Sequence, residues 1–144
     1  MSKVTKVTKA NNITTLTSFK EYQVAITTGV SIIKFSGAWC APCKRIAGAY
    51  QVLADTNTSV QFYQLDIDEA PEVTVKEQVS AIPAFIIYYN GERLSSYIGA
   101  NEQKLSEILY KGLAYIDSKK SLLSDPLNDK LSSLTIDDNS DLDI

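Results

Sequence analysis

The 144-residue chain contains no histidine. That absence excludes every mechanism that needs an imidazole: Ser-His-Asp and Cys-His nucleophilic catalysis, and metal sites with histidine ligands. Cysteine is almost as scarce. Cys40 and Cys43 are the only two, and a closed zinc site takes four ligands, more than one chain can supply from them. A metal or cluster shared between two chains stays open as an alternative. No apolar run is long enough to span a bilayer. No basic stripe offers a surface to nucleic acid. Met1–Asn12 is polar, with Lys3, Lys6 and Lys9 among threonines, and lacks the apolar core of a secretory leader. The final Asp-Leu-Asp-Ile is no retention signal. The expected setting is the reducing cytoplasm, without membrane or nucleic-acid partners.

What the chain does carry is Trp39-Cys40-Ala41-Pro42-Cys43-Lys44, just after the apolar stretch Ser31–Phe35. Cys40 thus falls where a strand ends and a helix begins. Helix N-termini present unpaired N–H groups and a partial positive charge. Both favour the thiolate, the reactive form of cysteine. Two cysteines this close can also close a small disulfide ring, so the natural chemistry is reversible dithiol–disulfide exchange. A purely structural disulfide is the bland alternative, but so short a loop restrains little of the unfolded chain.

Apolar periodicity alternates between strand and helix along the chain. Ile13–Leu16, Ile32–Phe35, Val60–Asp66, Ala84–Tyr89 and Arg93–Ile98 read as strands, the last two joined by the turn pair Asn90-Gly91. Helices are expected after the cap Ser18, over Ala41–Ala54 and Glu72–Gln78, and after the cap Asn101 with Leu105, Ile108, Leu109 and Leu113. The order is β-α-β-α-β-α-β-β-α, an α/β fold with a central mixed sheet and helices on both faces. The expected organisation is a polar tail over 1–12, one domain over 13–118, and an acidic, partly disordered tail over 119–144. Residues 121–144 hold six acids and one base, against eleven acids and thirteen bases elsewhere, so the net charge of −3 belongs to the tail. Within it Leu123, Leu127, Leu131 and Leu134 fall at helical spacing, and Thr135–Ile144 is expected to be disordered.

Over roughly residues 13–117 these motifs together resemble the thioredoxin family. Trp39-Cys40-x-Pro42-Cys43-Lys44 matches its active-site motif, Asp66-Ile67-Asp68 the end of its third strand, and Ile82-Pro83 its cis-proline loop. Asn90-Gly91 matches its hairpin, and Gly99-Ala100-Asn101 resembles the eukaryotic branch. The resemblance implies a thioredoxin fold and a Cys40–Cys43 disulfide. Cys40 would be the exposed nucleophile and Cys43 the inner, resolving thiol. Trp39 would be a flat cover beside Cys40, and Pro42 would restrain the ring. Pro83 would face the disulfide across a groove, with the backbone of Ile82 offered to an extended substrate peptide. Gly99 would complete that binding surface. The implied protein is a cytoplasmic, monomeric disulfide reductase with no bound cofactor and no metal. It would act on disulfide-containing proteins and draw electrons from a thioredoxin reductase or an equivalent dithiol donor.

Three positions depart from the pattern. Ala41 replaces a glycine, and Gly48 replaces a proline that kinks the helix. Lys34 stands where the family has a buried aspartate, thought to accept the proton of the inner thiol, and Gln64 replaces the usual lysine partner. A charged Lys34 would favour the Cys43 thiolate; a neutral one could accept its proton; a side chain that snorkels to solvent would do neither. Two rival functions also stay open, the second of them supported by the lost aspartate. One is an oxidase or isomerase. The other is a redox-inert or weakly active binding module that docks partners through its groove or acidic tail.

Overall fold

A computed structural model describes residues 8–10 and 12–124. In chain order the elements are β1 (Thr8–Ala10), β2 (Ile13–Leu16), α1 (Phe19–Ala25), β3 (Val30–Ser36), α2 (Ala41–Thr56), β4 (Val60–Asp66), α3 (Pro71–Lys76), β5 (Ala84–Tyr89), β6 (Glu92–Ile98) and α4 (Glu102–Ser124). The expected order is all there, with one strand added before it. β1 pairs antiparallel with β2 and makes a six-stranded sheet in the order β1-β2-β4-β3-β5-β6. A strand therefore lies inside the stretch read as an N-terminal tail.

The sheet is mixed because β2, β4 and β3 run parallel, β5 returns antiparallel to β3, and β6 runs antiparallel to β5. β3 and β5 are buried almost throughout, as central strands with both faces covered must be. Alternation divides their side chains between two layers. Ile33 and Phe35 join Leu16, Tyr22, Leu65, Val73 and Tyr88 in one cluster. Ile32 and Lys34 point the other way, toward α2. There the Tyr50 hydroxyl donates to the carbonyls of Tyr63 (2.6 Å) and Ile32 (3.2 Å), and its ring lies 5.3 Å from Phe62 and 5.5 Å from Phe85. Each fully buried side chain of this size stabilises the fold by about 1.5–3 kcal/mol.

Local signals act as expected. The Ser18 hydroxyl accepts from Glu21 N–H at 3.1 Å and caps α1. Asn90 and Gly91 turn the β5–β6 hairpin with φ of 51° and 89°. The Asn101 side chain accepts from Lys104 N–H at 2.9 Å and starts α4. α4 runs on through Lys119 and Lys120 to Ser124, so the expected domain boundary at residue 118 falls inside a helix.

The chain divides into two compact units within α4, after Leu109. Sheet and cysteines belong to the first. In the second, Ile116 is buried and Lys119 Nζ sits 5.6 Å from the Tyr115 ring centre. The expected stripe at Leu127, Leu131 and Leu134 and the acidic end Thr135–Ile144 lie outside the described residues.

Candidate active site

Strand register gathers the candidate residues at one end of the sheet. Ser36 pairs with Asp66, Phe35 with Ala84, and Ala84 with Ile98. The segments that follow β3, β4 and β6, and the one that precedes β5, therefore emerge side by side. They carry Trp39 to Cys43, Asp68, Ile82 to Pro83, and Gly99.

Cys40 is the N-cap of α2, in an extended conformation, and Pro42 occupies the second helical position. Proline suits a first turn because its missing N–H has no helical acceptor there. The two cysteines are joined in a disulfide, with Cα atoms 5.3 Å apart. Cys40 Sγ also accepts from Cys43 N–H at 3.2 Å, so it serves as the side-chain cap. This arrangement corrects one expectation: Cys40 is only 4 % exposed and Cys43 1 %. Capping and disulfide together turn Sγ of Cys40 inward.

Trp39 is 66 % accessible, with Nε1–H donating to Asp68 Oδ2 at 3.1 Å. The Asp68 contact went unread because it depends on which strand lies beside β3. The Ile82–Pro83 bond is cis. Pro83 is buried and Ile82 half-buried. Ile82 packs against the loop into Cys40, where a Cβ at Gly37 would meet Ile82 Cδ1 at 3.0 Å and the Trp39 ring at 3.1 Å. The Pro83 carbonyl accepts from Gly99 N–H at 3.0 Å, tying the two outer loops together.

Lys34 is 4 % exposed, so it does not snorkel. Its Nζ donates to the Cys43 carbonyl at 3.1 Å and lies 5.8 Å from the Tyr50 ring centre. Burial pushes its ammonium below the usual lysine range, because the charged form loses its hydration. The register confirms the exchanged pair, with Lys34 opposite Gln64 on neighbouring strands. Gln64 instead donates to the Thr15 hydroxyl at 3.1 Å. Thr15, Lys34, Cys43, Gln64 and Asp66 all line a cleft of about 270 Å³. A slightly larger hollow, about 310 Å³ around Asn12, Ala54 and Tyr63, contains neither a cysteine nor a charged side chain and lies apart from this chemistry. Among the described residues no three acidic or cysteine side chains gather as metal ligands.

A dithiol that closes at a helix start beside an exposed apolar rim can exchange with an external disulfide. Known proteins are similar to the chain over more than half of its length. The thioredoxin family model matches residues 10–111. Thioredoxin 1 of Plasmodium falciparum is 40% identical over 80 residues, 56% of this chain and 77% of the relative. Thioredoxin-2 of Saccharomyces cerevisiae is 33% identical over 99 residues, 67% of this chain and 95% of the relative. The crystal structure of thioredoxin from Trypanosoma brucei brucei superposes with a TM-score of 0.70 at 26% identity, covering 74% of this chain and 95% of that one.

Proposed function

The chain belongs to the thioredoxin family and is a protein-disulfide oxidoreductase of the thioredoxin type, and on that premise we propose that Cys40 is the nucleophile and Cys43 the resolving thiol. The Cys40 thiolate attacks one sulfur of a substrate disulfide. A mixed disulfide forms, and the first substrate sulfur leaves as a thiolate that takes a proton from solvent. Cys43 then loses its proton, and its thiolate attacks Cys40 Sγ. The second substrate thiolate leaves, and the Cys40–Cys43 disulfide closes. The substrate gains two electrons, both from the protein dithiol, and two protons from solvent, which takes up the protons that Cys40 and Cys43 lose. A thioredoxin reductase or an equivalent dithiol donor returns them.

The position of Cys40 carries this division of labour. It stands at the N-cap, ahead of the first turn, whereas Cys43 lies within α2 with its carbonyl held by Lys34. Lys34 acts on Cys43. Its charged form favours the Cys43 thiolate, and its neutral form accepts the thiol proton. Trp39, Pro42, Ile82, Pro83 and Gly99 form the groove that receives an extended protein segment. The protein works as a monomer in the cytoplasm, where its dithiol can be kept reduced.

Limiting iodoacetamide on the reduced protein, followed by peptide mass spectrometry, should place the first label on Cys40. Cys40→Ser should lose turnover with insulin, and Cys43→Ser should accumulate mixed disulfides. A label found chiefly on Cys43 overturns the assignment.

A further inference from the structure

We propose that Tyr97 is a positioning residue for protein substrates, its hydroxyl pinning the loop Gly99–Asn101 that forms one rim of the groove. The inference rests on the reading that this groove docks substrate.

Tyr97 is half-buried on β6, with its ring stacked on Phe85 at 6.2 Å and 12° between planes. The ring is thus fixed from below, and the hydroxyl reaches past Gly99. Its oxygen accepts from Asn101 N–H at 3.0 Å. The span it crosses has room for it only because residue 99 is glycine. A Cβ there would lie 2.6 Å from the Tyr97 hydroxyl and 3.0 Å from Cζ, and φ of +144° suits glycine alone.

The tie continues on both sides. Asn101 caps α4 through its own side chain, so the Tyr97 hydroxyl holds the rim against a fixed helix start. Gly99 N–H donates to the Pro83 carbonyl, so the same rim is bonded to the Ile82–Pro83 loop. The hydroxyl therefore links β6, the Gly99 loop and the opposite wall. Without it Asn101 N–H loses its acceptor, and the three-residue arch between Tyr97 and Asn101 loosens. A loose rim must be ordered when a peptide docks, and that cost appears as weaker binding. A small disulfide that needs only the sulfur of Cys40 does not bear it.

Tyr97→Phe keeps the stacked ring and removes only the hydroxyl. With insulin as the protein disulfide, KM should rise roughly fivefold, the scale of one net hydrogen bond, while kcat stays within about twofold. With cystine the rate should fall much less. The Asn101 amide should exchange faster in the variant, which verifies that the tie is broken. Trp39→Ala serves as the control for the groove itself. A raised insulin KM in both variants supports the proposal. A raised KM in Trp39→Ala alone overturns it and leaves the groove reading standing. An unchanged KM in both overturns the groove reading and this inference with it. A melting-temperature loss with equal decline on insulin and cystine would show Tyr97 to be structural and likewise overturns the proposal.

Discussion

Among the described residues two charged side chains are buried, one in each layer beside the sheet, and they are treated in opposite ways. Glu77, 8 % exposed, accepts from the Tyr22 hydroxyl and forms a 2.9 Å salt bridge with Arg93 Nη1. Arg93 donates to the Glu77 backbone carbonyl as well, at 2.9 Å. Burial, reinforced by the adjacent Glu77 carboxylate, raises the Tyr22 and Tyr88 hydroxyls well above the usual tyrosine range, so both stay protonated and Tyr22 remains a donor to Glu77. Lys34 makes no salt bridge among the described residues; its hydrogen-bond acceptor is a neutral carbonyl. A buried charge given its full set of partners holds a fold together. A buried ammonium whose acceptor is a neutral carbonyl has less to offset its burial, and the role proposed for Lys34 at Cys43 would account for keeping it there.

Glu77→Ala should break that comparison most visibly. It strips the acceptor from Tyr22 and leaves Arg93 without its counter-ion, and removing one partner of a buried pair costs about 3–5 kcal/mol. Urea unfolding should report that loss, while insulin reduction by the remaining folded protein keeps the parent rate. If Glu77→Ala instead slows reduction without lowering stability, the division between a structural and a functional charge fails.

The Lys34 variants should do the reverse. Lys34→Met removes the amine that donates to the Cys43 carbonyl; on the proposed mechanism, release of the mixed disulfide should slow by about tenfold, a barrier of about 1.4 kcal/mol, with the first attack by Cys40 less affected. Lys34→Asp should raise the rate near neutral pH by restoring a carboxylate at that position. Rapid-mixing kinetics from pH 6 to 9 separates the two steps, and parent-like behaviour of both variants would make Lys34 a bystander. Stability adds an independent reading. The folded Lys34 ammonium titrates below its unfolded value of 10.5. Between those two values the unfolded chain binds more protons, so stability rises with pH there. Below the folded value both states are charged and the full burial penalty is present. Lys34→Met should therefore stabilise the protein near neutral pH by about 1–2 kcal/mol, and the advantage should shrink as the pH climbs toward 10.5. Unfolding measured across that range should show the slope in the parent and its loss in the variant.

The sequence alone disclosed more of this fold than of its polar contacts, and the reasons are physical. Alternating apolar spacing in β3, β4 and β5 and the caps Ser18 and Asn101 are local signals, so those elements were readable. β1 was missed because Thr8-Lys9-Ala10 shows no apolar alternation; it is recognised only by its backbone register with β2. The domain was expected to end at residue 118, before the acidic tail. Lysine is equally at home in a helix interior, and the helix continues. At the site, spacing identified Cys40 and Cys43, and the family resemblance singled out Lys34. It could not reveal that Lys34 turns onto a carbonyl of α2, nor that Cys40 Sγ folds in as a cap. Asp68 and Tyr97 gain their contacts from strand register and from the turn after β6, which no local pattern encodes.

The smallest expected effect tests whether the helix joining the Lys34 side to the disulfide needs to bend. Gly48 lies on the exposed face of α2, where the family's proline would kink the helix, and α2 continues unbroken through it. A Cβ built there meets nothing within 4 Å. Glycine in a helix interior costs roughly 0.5–1 kcal/mol relative to alanine, through backbone entropy. Gly48→Ala should therefore raise stability by about that amount, read as a higher melting temperature. If Cys43 and the Lys34 contact act as one rigid unit, reduction of insulin should proceed at the parent rate. A slower release of the mixed disulfide in the stiffer helix would show that Cys43 must move away from Lys34 during the reaction. The charged amine would then be acting on a flexible target, and its contact with the Cys43 carbonyl would belong to the oxidised state alone.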